Sequence, residues 1–95
     1  MSTPQLQTLS PKYVNKKAGA IFFYKGRYVF VPIDLGTMVI GKRLRDVLSW
    51  IYPRIISVFF DREGNLHVRY EEPFYDVNDV LIDYEFKEDV WKKMW

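Results

Sequence analysis

Cysteine is absent from this 95-residue chain, and histidine occurs once, as His67. The first absence excludes disulfides, thiolate zinc sites and thiol catalysis, and the second excludes a multi-histidine metal site within one chain. Amides are scarce: Gln5, Gln7, Asn15, Asn65 and Asn78 are all there are. Few Cys, Asn and Gln is a trait of heat-exposed proteins. No apolar run approaches the ~18–20 residues that a membrane span needs. The opening MSTPQLQTLSPK lacks the charged-then-apolar order of a signal peptide. A soluble intracellular protein without a membrane partner is the expectation.

What is present is apolar and aromatic. Hydrophobic residues make up 48% of the chain, which places it among globular domains. The net charge of +2 conceals a split. Residues 1–54 hold nine Lys/Arg against two Asp/Glu, a balance of +7, and residues 55–95 hold five against ten, a balance of −5. Such asymmetry points to an electrostatic partner or to complementary faces that meet each other.

Residues 1–17 are polar, contain Pro, and end in Lys12, Lys16 and Lys17. They read as a flexible N-terminal arm ahead of a single domain over 18–95. AIFFYKGRYVFVPI (Ala20–Ile33) reads as a hairpin turning at Lys25-Gly26. It is apolar on both faces and so asks for cover on both. Thr37–Ile40 is a candidate short strand. Lys42–Tyr52 reads as the one main helix, with Leu44, Val47, Leu48 and Ile51 on one stripe and Pro53 as its stop. Ile55–Glu72 is a second hairpin. Its turn, Asp61 to Asn65, suits a left-handed Gly64. In that register Phe60, Val58 and Ile56 face Leu66, Val68 and Tyr70, while Phe59, Ser57 and Ile55 oppose His67, Arg69 and Glu71. Residues 77–87 fit a strand or a helix, and the cleaner alternation favours strand. Glu88–Trp95 then reads as a short terminal helix. The expected fold is α+β, in ββαβββ order: an antiparallel sheet of two hairpins plus a further strand, packed on one helix.

GTMVIGKR (Gly36–Arg43) comes close to a phosphate-binding loop, G-x-x-x-x-G-K-[ST]. Arg43 stands where a hydroxyl should ligate magnesium, and Thr37–Ile40 is strand-like where a cradle needs small residues. No nucleotide or other cofactor is expected. Lys42, Arg43 and Arg45 remain, three cations in the first turn of a helix, where the dipole disfavours positive charge. A bound anion would offset that repulsion, which makes these three the candidate nucleic-acid contacts. Tyr13, Tyr24, Tyr28 and Trp50, interleaved with basic residues, are candidates to stack bases or to serve as core.

Glu85-Phe86-Lys87, with Asp83 nearby, matches the E-x-K of one magnesium-dependent nuclease superfamily. A motif this short arises about once by chance at this composition. His67 sits on the polar side of the second hairpin with Ser57 and Glu71, without implied hydrogen-bond reach to Ser57. No catalytic or metal-binding residue is therefore assigned.

One helix covers one face of a sheet. The remaining cover must come from Trp91, Met94 and Trp95 or from another subunit. A homodimer is expected, packed through Ile21, Phe23, Tyr28 and Phe30, with edge-strand pairing as the other route.

IFFYKGRYVFVPI and VLIDYEFKEDVWKKMW give the chain an overall character. It resembles the small orphan proteins of viruses that infect thermophilic archaea, crenarchaea in particular. The likeness spans the whole chain and is carried by composition. It implies a viral accessory protein in the host cytoplasm. Nucleic-acid binders, inhibitors of host defence and some nucleases are among such proteins. The leading expectation is a non-enzymatic interaction protein, a homodimer that binds another macromolecule such as a host protein. The alternative is nucleic-acid binding through the basic half, and the third is a metal-dependent nuclease of the acidic half.

Overall fold

Loop chemistry sets the first pairings. Lys25 and Gly26 both take positive φ, 51° and 76°, the conformation of a two-residue hairpin turn. The turn joins β2 (Gly19–Tyr24) to β3 (Arg27–Pro32) in the register Tyr24↔Arg27 through Gly19↔Pro32. Gly64, at φ 84°, closes the turn between β5 (Arg54–Phe60) and β6 (Leu66–Tyr75). The Asp61 carboxylate accepts from the backbone N–H groups of Glu63 and Asn65 and holds that turn.

In the computed structural model, which describes residues 10–94, three further strands join these hairpins. They are β1 (Tyr13–Asn15), β4 (Val39–Gly41) and β7 (Leu81–Lys93). All pairings are antiparallel, in the order β4-β3-β2-β1-β7-β6-β5. Among the described residues there is one helix, α1 (Leu44–Ile51), between β4 and β5.

This corrects the α+β expectation. The described residues are 56% strand and 9% helix, and the seven strands form a curled half-barrel rather than a ββαβββ sheet laid on a helix. Curvature takes the place of a second layer. Tyr13, Ile21 and Phe30 from one half of the sheet meet Leu66, Val68, Tyr70 and Trp91 from the other across the concave face. The stripe on α1 behaves as the sequence implies: Val47 and Leu48 are fully buried, with Leu44 and Ile51 packed beside them. The helix rests against β3 and β4, and Tyr52 at its end continues to Tyr70 and β7.

Two further expectations change. The terminal helix over Glu88–Trp95 is not formed: strand β7 runs through Lys93 and buries Trp91 completely. Met94 follows the strand, and Trp95 lies outside the described residues. The arm over residues 1–17 is partly strand. Tyr13–Asn15 is the central β1, the link between the two halves of the sheet, and residues 1–9 lie outside the described residues.

The second hairpin keeps its expected register from Phe60↔Leu66 to Ser57↔Arg69 and then slips. Ile56 bulges outward, so Ile55 rather than Ile56 faces Tyr70. The slip turns Ile55 onto the core and leaves Ile56 half exposed.

Candidate functional site

The sheet is not covered along its whole length. Strand β5 accompanies β6 only as far as Glu71, and β1 accompanies β7 only at Lys92 and Lys93. From Glu72 to Phe86 the chain forms a two-stranded arm, closed at Asp76–Val80, that projects from the body. The tip is built rather than frayed: the Asp76 carboxylate accepts from the N–H groups of Asn78 and Val80. At its root the Arg54 guanidinium lies 4.3 Å from the Tyr84 ring centre.

Composition makes the arm unusual. Phe74, Tyr75, Val77, Val80, Leu81, Ile82, Tyr84 and Phe86 are all exposed, with Phe86 at 62%. Residues 72–86 carry five carboxylates and no Lys or Arg. Exposed apolar groups on a narrow, acidic, two-stranded projection mark a contact surface.

The sequence-derived candidates scatter over the rest of the molecule. Of the four proposed dimer contacts, Ile21 and Phe30 belong to the protein's own core, at 0% and 7% exposure. Phe23 and Tyr28 pack together at 4.9 Å near the rim, beneath the Lys12 ammonium. Lys42, Arg43 and Arg45 are exposed where α1 begins. Arg43 caps the helix rather than lying inside it, and Asp46 accepts from both its backbone N–H and its guanidinium. One of the three cations is thus already answered by a neighbouring carboxylate. Gly41, from the loop-like GTMVIGKR, ends the edge strand β4 beside β3. Of the possible base-stacking aromatics, Tyr13 is core, while Tyr24 and Trp50 are exposed.

Asp83 and Glu85 share one side of β7 with Lys87, whose ammonium is drawn to Glu72 and lies 3.8 Å from Glu85. Among the described residues no group of three His, Asp or Glu is placed to hold a metal ion.

His67 has partners on both neighbouring strands and at the Asp61 turn. Its Nε2 lies 2.8 Å from Asp61 and its Nδ1 lies 3.1 Å from Glu88, while its ring stacks on Phe59. Arg69 donates to the same Glu88 at 2.7 Å. The hydrogen bond to Asp61, then the one to Glu88, raises the imidazole above its usual range. Reciprocally, His67 lowers Asp61, while Arg69 and then His67 lower Glu88. Both ring nitrogens are engaged by carboxylates. The ring works as a latch between the Asp61 turn and β7.

The latch carries a pH signature. A raised imidazole contributes stability that is complete below the unfolded value of about 6.5 and lost as pH rises through the folded value. The lowered carboxylates contribute above their unfolded values of about 4 and lose it as pH falls through their folded ones. The melting temperature of the wild type should therefore decline relative to His67→Gln as pH is raised from 6 to 9. The effect is small because the cluster faces solvent. Parallel melting profiles for the two proteins over that range would remove the latch.

Several contacts that build the site carry no signal in the sequence pattern. Asn15, buried in the sheet, donates to the Val90 carbonyl at 3.0 Å while its own carbonyl accepts from the N–H groups of Lys17 and Ala18. It closes the β1–β2 turn and ties that turn to β7. An apolar cleft of about 430 Å³ on the convex side is lined by Val14, Ala20, Phe22, Val31 and Leu35, with Lys16 at its edge. No protein-family model, curated protein or solved structure matches this chain.

Proposed function

We propose that the protein is a non-enzymatic interaction protein, a homodimer that acts by binding another macromolecule. The observation that carries this reading is the projecting arm, Glu72–Phe86. A two-stranded hairpin alone is at best marginally stable in water. This one has ordered turn chemistry and exposes aromatic and aliphatic side chains on both faces. An association partner gives those groups the cover that the protein's own body does not. His67, paired with Asp61 and Glu88, and Glu85, near Lys87, fit structural ion pairing better than catalysis.

Replacement of residues 72–85 by Asn-Gly joins the opposed pair Glu71 and Phe86 in a tight turn and leaves the core untouched. Sedimentation at tens of micromolar should give a two-chain mass for the full protein and a one-chain mass for the shortened one, with similar melting. A full-length protein that sediments as a monomer at all concentrations would overturn the homodimer.

A second reading, nucleic-acid binding, rests on the spatial segregation of charge. The strand order puts the basic residues on the β1–β4 and α1 side and the acidic arm on the β6–β7 side. Among the described residues, Lys42 and Arg45 at the start of α1 are exposed and make no ion pair, whereas Arg43 pairs with Asp46. A steep fall of log affinity with log salt for labelled DNA or RNA, flattened in Lys42→Ala/Arg45→Ala, would support it. No binding at low salt would retire it.

A further inference from the structure

The two edges of the arm differ. On β6, Pro73 interrupts the row of N–H donors beyond the reach of β5, a device that blunts an edge. The outer edge of β7 carries no proline. One end of that open edge is set by a register slip opposite Phe74 and Tyr75, which leaves Ile82 without an opposed residue. The other is set by the β1–β2 turn, where Asn15 occupies the Val90 carbonyl. Between these limits, Asp83–Asp89 is a regular strand with one side unpaired, and its midpoint is Phe86.

An unblunted edge of this length is a template for another strand. The occupant that the sequence fits is the same strand from a second copy. A twofold axis normal to the sheet preserves faces, so only registers in which a residue meets its own copy are allowed. Centring on Asp83, Glu85, Lys87 or Glu88 sets a charge against itself. Centring on Tyr84 sets Asp83 against Glu85 twice. Centring on Phe86 stacks Phe86 on its copy, sets Tyr84 against Glu88, and sets Glu85 against Lys87 twice. Its like-charge pair, Asp83 with Asp89, also occurs twice, but it lies at the ends, and the Asp89 carboxylate is already turned to the Tyr52 hydroxyl at 2.7 Å. The open segment and the charge pattern thus select the same centre independently.

We infer that β7 of one copy pairs antiparallel with β7 of a second copy about a twofold axis at Phe86, merging the two seven-stranded sheets. Beyond the paired segment each acidic tip, with Asp76 and Asp79, would approach Lys16 and Lys17 of the other copy, in the turn that bounds the open edge. This isologous contact closes at two subunits. The inference rests on the homodimer reading above and names its interface.

Because the chain has no cysteine, a single introduced thiol reports the axis without background. Phe86→Cys should form a covalent dimer on mild oxidation, since opposed Cα atoms in an antiparallel pair lie about 4.5–5.5 Å apart, within disulfide reach. Tyr84→Cys, whose copies would lie four positions apart along the strands, should not. Glu85→Lys should weaken dimerisation about tenfold or more, and Glu85→Lys/Lys87→Glu should restore it. Phe86 and Glu85 are exposed, so folding survives these changes. A sedimenting dimer whose Phe86→Cys form stays unlinked would overturn the edge pairing and leave the homodimer standing. Crosslinking through Tyr84→Cys instead would overturn the register. A monomeric mass would overturn both readings.

Discussion

Trp91→Ala should cost about 3–5 kcal/mol, the range for removal of a buried aromatic. For a chain of this length that is a loss of roughly 15–30 °C in melting temperature, and a large part of a total stability of about 5–10 kcal/mol. Trp91 is completely buried and sits where the two halves of the sheet meet. Its ring meets Phe30 of β3 edge-on at 5.9 Å, its backbone pairs it with Leu66 of β6, and its indole N–H donates to the Tyr52 hydroxyl at 2.9 Å. Tyr52 passes the chain on to Asp89 at 2.7 Å, and burial keeps its hydroxyl protonated well above the usual tyrosine range. One side chain thus ties β3, β6, β7 and the end of the helix together.

A paired substitution separates packing from polarity. Tyr52→Phe keeps nearly all the volume but leaves the indole N–H and the Asp89 carboxylate without their shared partner. That should cost about 1–3 kcal/mol. Urea denaturation of both variants checks the ranking. A Trp91→Ala protein no less stable than Tyr52→Phe would mean that the half-barrel does not close on this residue.

The two tight hairpins could be read because their information is local. Lys25-Gly26 and Asp61 to Gly64 force their turns, and alternation then fixes the register on either side. The helix was equally plain, since Leu44, Val47, Leu48 and Ile51 repeat at 3.6 residues. The curl was not readable. Phe22 and Val29 on the convex side are as apolar as Ile21 and Phe30 on the concave side, so no pattern says which face closes. Three residues of β1 carry no period at all. Strand β7 misled for a different reason. Its side shared by Asp83, Glu85, Lys87, Asp89 and Trp91 passes from solvent to core along its length, as the strand runs from arm into body. Binary patterning assumes one environment per face, and here the environment changes partway. The candidate surface was hidden by the same change. Phe74, Tyr84 and Phe86 look like core residues until the ends of β1 and β5 leave them uncovered. What did survive from sequence to structure is the opposition of basic and acidic halves, which strand order keeps on opposite sides of the sheet.

Gly19→Ala should be the most damaging single-methyl change in the protein, about 3 kcal/mol or more. Gly19 opens β2 at φ 144°, a conformation that side-chain-bearing residues rarely adopt. A Cβ there would lie 2.2 Å from the Val31 carbonyl oxygen and 3.0 Å from the Ile33 nitrogen, all backbone that cannot rotate aside. Relief requires that β2 and β3 separate at this end. That movement would break the Ile33 N–H bond to the Ala18 carbonyl and disturb the turn that Asn15 holds against β7. The damage therefore reaches the junction between the two halves of the sheet. Gly26→Ala is the matching control: its φ is also positive, at 76°, but nothing lies within 4 Å of the added methyl. It should cost only the left-handed backbone term, about 1–2 kcal/mol. Thermal melts of both proteins decide the matter. Equal losses would mean that backbone conformation alone sets the cost and that β2 and β3 can part freely at Gly19. A much larger loss at Gly19 would show that the close approach of these two strands holds the central β1 in place.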